Sequence, residues 1–307
     1  MFPLLANPMR WSPRVADSVA LDTGWLKAHP LPAHADDVDK NRRGKMLVVG
    51  GSRRVPGGVS LTAEAGFRGG AGKVTIATIA SAALPLGLAF PECAVVALGE
   101  TERGEIAADP SGPLLTELPA YDAIVVGPAM TDEAAADALL ALLLPVLPDD
   151  MFLVLDAAAL RAAGNHSAAL ARRGARTVFT PHQGELAGML AVKKAAVEGD
   201  PVAALAHAVE RFGGAVIVKG ATSHIMADRT CLSYAGGGIG LATGGSGDVL
   251  AGLIGALGAQ GLRPLEAAAW GTWLHGEAGR RLSETMGPIG FLARELPALV
   301  PGLMRGA

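Results

Sequence analysis

The chain alternates between short, wholly apolar runs and longer stretches in which alanine and leucine recur at helical spacing. The apolar runs are rich in β-branched residues and end on turn residues: MLVVG (46–50), VTIATI (74–79), AVVAL (94–98), AIVVG (123–127), FLVLD (152–156), TVFT (177–180) and VIVKG (216–220). A short apolar run without alternation suits a strand buried on both faces. Alanine-rich helical segments at 59–69, 132–144, 157–163, 185–192 and 201–212 separate many of them. Strand, glycine turn and helix in repetition predict an α/β fold, with a mainly parallel central sheet and helices on both faces. SHIMA (223–227) and CLSYA (231–235), split by Asp228-Arg229, predict an antiparallel hairpin late in the sheet, and 247–307 is expected to be mostly helical. The first forty residues break this pattern, mixing proline, tryptophan and charge. They predict a short helix near Ser18 to Lys27 and then extended chain. The expected organisation is an N-terminal arm (1–40) and one domain (41–307), with no internal repeat or low-complexity linker.

Composition narrows the function classes. At 307 residues and 50% hydrophobic, the chain can bury a large core. A formal charge of -3 gives no electrostatic case for nucleic acid or an anionic membrane, and 4% aromatic content argues against a base-stacking surface. Cys93 and Cys231, far apart, fit a reduced cytosolic chain better than a disulfide scaffold or a zinc site. The N-terminal MFPLLANPMRW lacks the basic region and apolar core of a signal peptide. The longest apolar run, Ala138 to Leu147, is interrupted by Pro145 and is too short to span a bilayer. A soluble cytoplasmic protein is expected, with small-molecule substrates, no nucleic-acid or membrane partner, and homo-oligomerisation left open.

In such a sheet, ligands collect beyond the carboxyl ends of the strands. The residues there are Gly50-Gly51-Ser52, Gly127-Pro128-Ala129, Asp156, Pro181-His182, Lys219-Gly220 and the Gly244 loop. The richest stretch is LATGGSGDVLAG (241–252), where Gly244-Gly245-Ser246-Gly247 runs through Asp248 into an apolar helix. Free N–H groups and the positive end of a helix dipole attract phosphate there. An acid beside that phosphate suits a base that takes a proton from an attacking hydroxyl. A glycine turn followed by a helix-start aspartate is the competing reading. Two other glycine stretches are decoys. GGAGKVT (69–75) has Val74 after its lysine and leads into a strand, so it is not a P-loop. VVGGSRRVPGG (48–58) does not give the G-x-G-x-x-G of a dinucleotide fold.

Together, and in this order, VVGGSRRVPGG, GGAGKVTIAT, VVGPAM, LVLDAAAL, FTPHQGEL, VIVKGATS, LATGGSGDVLAGLIGALGAQG and WLHGEAG (273–279) resemble the ADP-dependent NAD(P)H-hydrate dehydratase family. That family belongs to the ribokinase-like superfamily, and the resemblance covers roughly residues 40–300. It implies a ribokinase-like fold and a repair reaction. ADP phosphorylates the hydroxyl of hydrated NADH or NADPH, then phosphate leaves and the ring double bond reforms, giving NAD(P)H, AMP and phosphate. It also implies ADP and Mg²⁺ as cofactors. Asp248 matches the residue that activates the ring hydroxyl. Lys219, Gly220, Ala221, Thr222 and Ser223, with Gly245, Ser246 and Gly247, match the nucleotide site. Gly58, Ala129, His182 and Asp248 match the substrate site, and Glu185 matches an acid that holds magnesium through water. Read from the residues alone, Lys219 also suits a solvated strand end, His182 a loop hydrogen-bonder and Glu185 a helix-start acid.

The chain departs from the family pattern at several positions. Ala129 stands for a usual Gly, Gly58 for a usual Ala, Ala158 for a second Asp, Gln183 for a Pro, and Gly238-Ile239 for Asn-Pro. The nucleotide half is thus kept, and the changes at Ala129 and Gly58 fall on the substrate half. The epimerase domain that some bacterial relatives carry is not expected here. The alternatives are a ribokinase-like kinase for a thiazole, pyrimidine or sugar alcohol, and a catalytically weak nucleotide-binding regulator. The intact GGSGD argues against the regulator.

Overall fold

A computed structural model describes residues 18–33, 39–109 and 112–306. Ten strands form one sheet: β1 (Val19–Ala20), β2 (Lys45–Val49), β3 (Lys73–Ile79), β4 (Ala94–Leu98), β5 (Ala123–Val126), β6 (Phe152–Leu155), β7 (Thr177–Phe179), β8 (Ala215–Val218), β9 (Ser223–Ala227) and β10 (Thr230–Tyr234). The early helices are α1 (Thr23–Ala28), α2 (Gly58–Arg68), α3 (Ala80–Ala89), α4 (Pro113–Glu117), α5 (Glu133–Leu143), α6 (Ala158–Ala162) and α7 (Ser167–Arg172). The later ones are α8 (Gln183–Leu190), α9 (Lys194–Gly199), α10 (Pro201–Phe212), α11 (Ser246–Ala259), α12 (Pro264–Thr285) and α13 (Val300–Gly306).

The strand order is β1-β10-β9-β8-β7-β6-β5-β2-β3-β4. Strands β2 to β8 pair in parallel, β9 is antiparallel to both β8 and β10, and β1 joins β10 in parallel. The wholly apolar runs are the reason. Met46–Val49, Ala123–Val126 and Phe152–Leu155 are buried along their whole length, so each strand needs a helix on both faces. Helices α2, α11 and α12 pack together on one face, and α5, α6, α8 and α10 form a second layer.

From β2 the chain steps to β3 and β4 in one direction, then returns to β5 beside β2 and continues the other way to β8. The helices that follow β2 and β5 therefore run to opposite faces, α2 packing with α11 and α5 with α6. Such a switch point opens a crevice at the carboxyl edge of the sheet. Helix α11 lies against this region because its small residues let it close in. A side chain at Gly252 would run into the Thr62 carbonyl of α2, and one at Gly258 into the Phe152 ring of β6.

The expected helix over 18–27 is corrected to a two-residue strand followed by α1. Ala20 is followed by Leu21, whose N–H donates to the Ser233 carbonyl at 2.8 Å, and Asp22 caps α1 by accepting from the Trp25 N–H at 2.9 Å. An open edge on β10 thus takes residues that helix propensity alone would leave to the helix. Leu21 and Leu26 are buried in the common core, and Trp270 Nε1 donates to the His29 carbonyl at 2.7 Å. The rest of the expected arm, 1–17 and 34–38 with His34, lies outside the described residues. Helix α3 was not foreseen, because Pro85 sits inside it.

Candidate active site

The site is assembled at the carboxyl edge of the sheet, beside the switch point. The loop after β2 grips the loop after β5: the Gly51 N–H donates to the Pro128 carbonyl at 2.8 Å, and Ser52 Oγ donates to the Ala129 carbonyl at 2.9 Å. This clasp holds Ala129 with φ of 57°, a left-handed conformation that alanine adopts rarely. Gly58 opens α2 directly opposite. A Cβ placed on Gly58 would lie 2.5 Å from the Ala129 Cβ. Only one methyl fits between them. The two positions are therefore coupled: the methyl on the loop residue leaves no room for one on the helix residue.

The Gly244 loop reaches the same place. Gly245 has φ of 90°, and a Cβ on it would lie 2.5 Å from Leu61 Cδ1, so the turn into α11 needs glycine in both respects. Gly244 meets nothing within 4 Å and faces open space. The first-turn N–H groups of α11 lack intrahelical acceptors; the Ser246 N–H donates to the Thr243 carbonyl at 3.3 Å, and the Gly247 N–H faces the loop where an anion would sit. Ser246 is buried and is not open to a ligand through its hydroxyl, which pairs with His275 Nε2 of α12 at 2.9 Å. Burial, then the Lys219 charge, holds the His275 imidazole down at about 4, so it is neutral at physiological pH.

Asp248, in the first turn of α11, is half-buried, and its carboxyl is pushed up to about 7. Burial is the main cause and the nearby Asp156 carboxylate the second; Lys219 and the Ala129 backbone act in the other direction. A carboxyl near neutrality is matched to proton transfer at physiological pH. Asp156 is buried at the end of β6. It accepts from Thr180 Oγ1 at 2.6 Å and lies 3.5 Å from Lys219 Nζ. Lys219 is only 25% exposed at its side chain and also stands 4.0 Å from Glu185, so it is not a solvated strand-end lysine. A side chain on Gly247 would come 3.4 Å from Lys219 Nζ, which puts the ammonium at the glycine loop.

Lys219 and His182 are bridged as extensions of β8 and β7, with the Lys219 N–H donating to the Pro181 carbonyl at 3.0 Å. His182 caps α8: its Nδ1 accepts from Gly184 N–H at 3.0 Å and Glu185 N–H at 3.2 Å, while Glu185 returns a bond to the His182 N–H at 2.9 Å. An accepting Nδ1 places the ring proton on Nε2, on a side chain that is 59% exposed. The capping roles of His182 and Glu185 are thus present, with His182 Nε2 3.6 Å from Glu185 Oε1 at the rim of the site. Gly220, Ala221 and Thr222 form an exposed turn at the rim, and Ser223 begins β9 half-buried.

Among the described residues, no three His, Cys, Asp or Glu side chains converge as a direct metal cage. Glu185, a single carboxylate already bonded to a backbone N–H and flanked by Lys219, fits water-mediated holding of a cation and no closer ligation. The structure thus brings Asp248, Lys219, His182, Glu185, Ala129, Gly58 and the Gly245–Gly247 turn to one edge. It adds Asp156, Thr180 and His275. Asp156 is legible as a strand-end acid but its partners are not, because Thr180 and Lys219 meet it only through strand pairing.

A family profile described as NAD(P)H-hydrate dehydratase matches residues 46–301. The chain belongs to this family. Among curated relatives, the ADP-dependent (S)-NAD(P)H-hydrate dehydratase of Xanthomonas campestris is 43% identical over 91% of this chain and 93% of that protein. The bifunctional NAD(P)H-hydrate repair enzyme of Moorella thermoacetica is 33% identical over 93% of this chain, which spans only 53% of that longer enzyme. Among solved structures, a ribokinase-like superfamily protein of Enterococcus faecalis superposes with a TM-score of 0.81 at 23% identity, over 96% of this chain and 98% of that one. The ADP/ATP-dependent NAD(P)H-hydrate dehydratase of Bacillus subtilis, co-crystallised with ATP and Mg²⁺, does so with a TM-score of 0.76 at 23% identity, over 94% and 99%. The ribokinase-like fold of this dehydratase-family chain is thereby established. No helix among the described residues is long and apolar enough to cross a membrane.

Proposed function

We propose that this chain dehydrates (S)-NAD(P)H hydrate at the expense of ADP, releasing NAD(P)H, AMP and phosphate. The observation that carries the chemistry is the Asp248 carboxyl, raised to about 7 at the anion-binding start of α11. Asp248 takes the proton from the ring hydroxyl as its oxygen bonds to the β-phosphorus of ADP and the bond to AMP breaks. The Gly247 N–H and the Lys219 ammonium stabilise charge on the transferring phosphoryl group. The ring phosphate then departs with its C–O electrons, the ring nitrogen supplies electrons to the vacated carbon, and loss of a ring proton restores the double bond. His182 Nε2–H donates to the substrate, while Ala129 and Gly58 shape its site. The exposed turn Gly220 to Ser223 holds the nucleotide. Mg²⁺, held through water by Glu185, would neutralise phosphate charge. The cytoplasm, where these dinucleotides turn over, is the compartment this reading implies. A general small-molecule kinase of the same fold is disfavoured by the family membership and by the nearly full-length match to a dehydratase.

The test is to incubate the pure protein with chemically hydrated NADH, ADP and magnesium and to follow absorbance at the reduced-nicotinamide band. Recovery of that band with stoichiometric AMP and phosphate is expected. Phosphorylation of a thiazole, pyrimidine or sugar alcohol without such recovery would overturn the reading. Turnover with ADP should exceed that with ATP at equal concentration; a strong ATP preference would remove ADP as the donor.

A further inference from the structure

We infer that Glu105, on the excursion that follows β4, is a positioning residue for the substrate side of the site, because it holds the loop that carries Ala129. This rests on the dehydratase reading above. Glu105 is only 2% exposed, and its carboxylate is met by donors from the loop after β5. Oε1 accepts from the Thr131 N–H at 3.1 Å, from the Asp132 N–H at 3.1 Å and from the Thr131 hydroxyl. Oε2 accepts a longer bond, 3.3 Å, from the same Thr131 N–H. A carboxylate taken out of water is unfavourable unless donors replace the water, and here they do. A competing role would be to anchor the start of α5. That helix has its own cap, since Asp132 accepts from the Ala135 N–H at 3.0 Å. Three of the four bonds to Glu105 come from Thr131, which precedes the cap. The loop itself is therefore what Glu105 fixes.

Position ties this hold to the chemistry. On one side of Ala129 the β2 loop grips the Pro128 and Ala129 carbonyls, and on the other Glu105 grips Thr131. Between these holds Ala129 keeps its left-handed φ of 57°. A left-handed alanine persists only where its surroundings over-determine it. Ala129 faces Gly58, and its backbone hydrogen-bonds the Asp248 carboxyl, which Asp156 and Lys219 also face. Drift of this loop would move a wall of the substrate site and a donor to Asp248 together. The excursion is well tied for the task. Glu100 and Ile106 bridge in antiparallel fashion, the Gly104 N–H donates to the Thr101 carbonyl at 2.9 Å, and the Glu105 N–H donates to Thr101 Oγ1 at 3.1 Å. It is bonded to the β2 loop as well, the Arg53 N–H donating to the Gly104 carbonyl at 2.7 Å. An excursion from the edge strand thus reaches past β3 and braces both loops of the switch point. Lys219 and the Gly220 turn follow β8, three strands beyond β5, and lie outside this brace.

Three variants grade the hold. Glu105→Ala removes all of its bonds, Thr131→Ala removes only the hydroxyl bond, and Glu105→Gln keeps an acceptor in the place of Oε1. Each is checked for a native melting transition, and kcat is measured with the KM for hydrated NADH and the KM for ADP. In Glu105→Ala the KM for hydrated NADH should rise about tenfold or more, kcat should fall by less, and the KM for ADP should stay the same. Thr131→Ala should show the same split at about threefold, and Glu105→Gln should bring the KM back to within about threefold of wild type. A folded Glu105→Ala with a lowered melting temperature and unchanged constants would overturn the inference, and so would an equal rise in both KM values. If Glu105→Ala does not fold, Thr131→Ala decides, and an unchanged KM for hydrated NADH there would overturn it. A wild-type enzyme that fails to restore hydrated NADH would instead bring down the dehydratase reading, and this inference with it.

Discussion

At the scale of single residues, the site is governed by where one proton sits. Asp248 has its carboxyl raised to about 7, against an ordinary value of 3.8, chiefly by burial. Since the free base is the working form, kcat/KM should climb with pH and level off above about 7. The same shift acts on stability. The folded state holds this proton more tightly than the unfolded chain, so the contribution is full below about pH 4 and is lost as pH rises through about 7. Asp248→Asn should cut kcat by on the order of 10²–10⁴ with nucleotide binding kept, and should melt higher than wild type at pH 8, the gap closing toward pH 4. Near-wild-type turnover would remove Asp248 from the mechanism. His275 titrates in the opposite sense: held down at about 4, it stabilises the fold above about pH 6.5 and loses this as pH falls toward 4. Because it fixes Ser246 in the glycine turn, His275→Ala should lower kcat by on the order of 10² with a smaller change in KM for ADP. Equal loss in both would mean that the imidazole only supports the fold. The Gly58–Ala129 pair tests as a cycle. Gly58→Ala alone should destabilise by roughly 1–3 kcal/mol through overpacking. Ala129→Gly relieves the left-handed alanine, should stabilise by about 1 kcal/mol and should lower the substrate KM. In the double variant most of the Gly58→Ala penalty should vanish, a coupling readable by urea unfolding. That coupling was not legible in the sequence. The motif shows two unusual residues, but only the clasp between the β2 and β5 loops makes them neighbours.

At the scale of elements, the strands were legible wherever burial alone decides them. Seven apolar runs became β2 to β8; six are buried along nearly their whole length, while β4 lies at the sheet edge with only Leu98 buried. The hairpin β9–β10 was legible from its polar turn at Asp228, which takes φ of 50°. Two elements were not. Helix α3 carries a proline that local reasoning counts against a helix, and β1 is a strand only because β10 presents an edge. The consequence for β1 and α1 is measurable. A chain starting at Asn41 would uncover the β10 edge and lose two buried leucines, Leu21 and Leu26, each contributing roughly 2 kcal/mol. Its melting temperature should fall and it should aggregate more readily, yet kcat at saturating substrate should survive in the soluble fraction. A well-folded truncation with no turnover would assign chemistry to the missing residues.

At the scale of the whole molecule, the carboxyl edge of the sheet does the organising. Residues from six loops, far apart in the chain, meet there because parallel strands all deliver their ends to one side. The sequence therefore named most of the site by position after each strand. It was silent on the switch point, which depends on β5 inserting beside β2, a choice of pairing that no local pattern encodes. The same topology has a consequence during biosynthesis. Val19 pairs with Leu232, so the first described strand leaves the ribosome long before its neighbour exists. Until β10 emerges, that segment has nothing to join, and β10 is itself held in place by β9 and β8. Closure of this edge is thus among the last events of folding. A nascent chain stalled before residue 230 should leave its N-terminal segment open to proteases, and release should protect it.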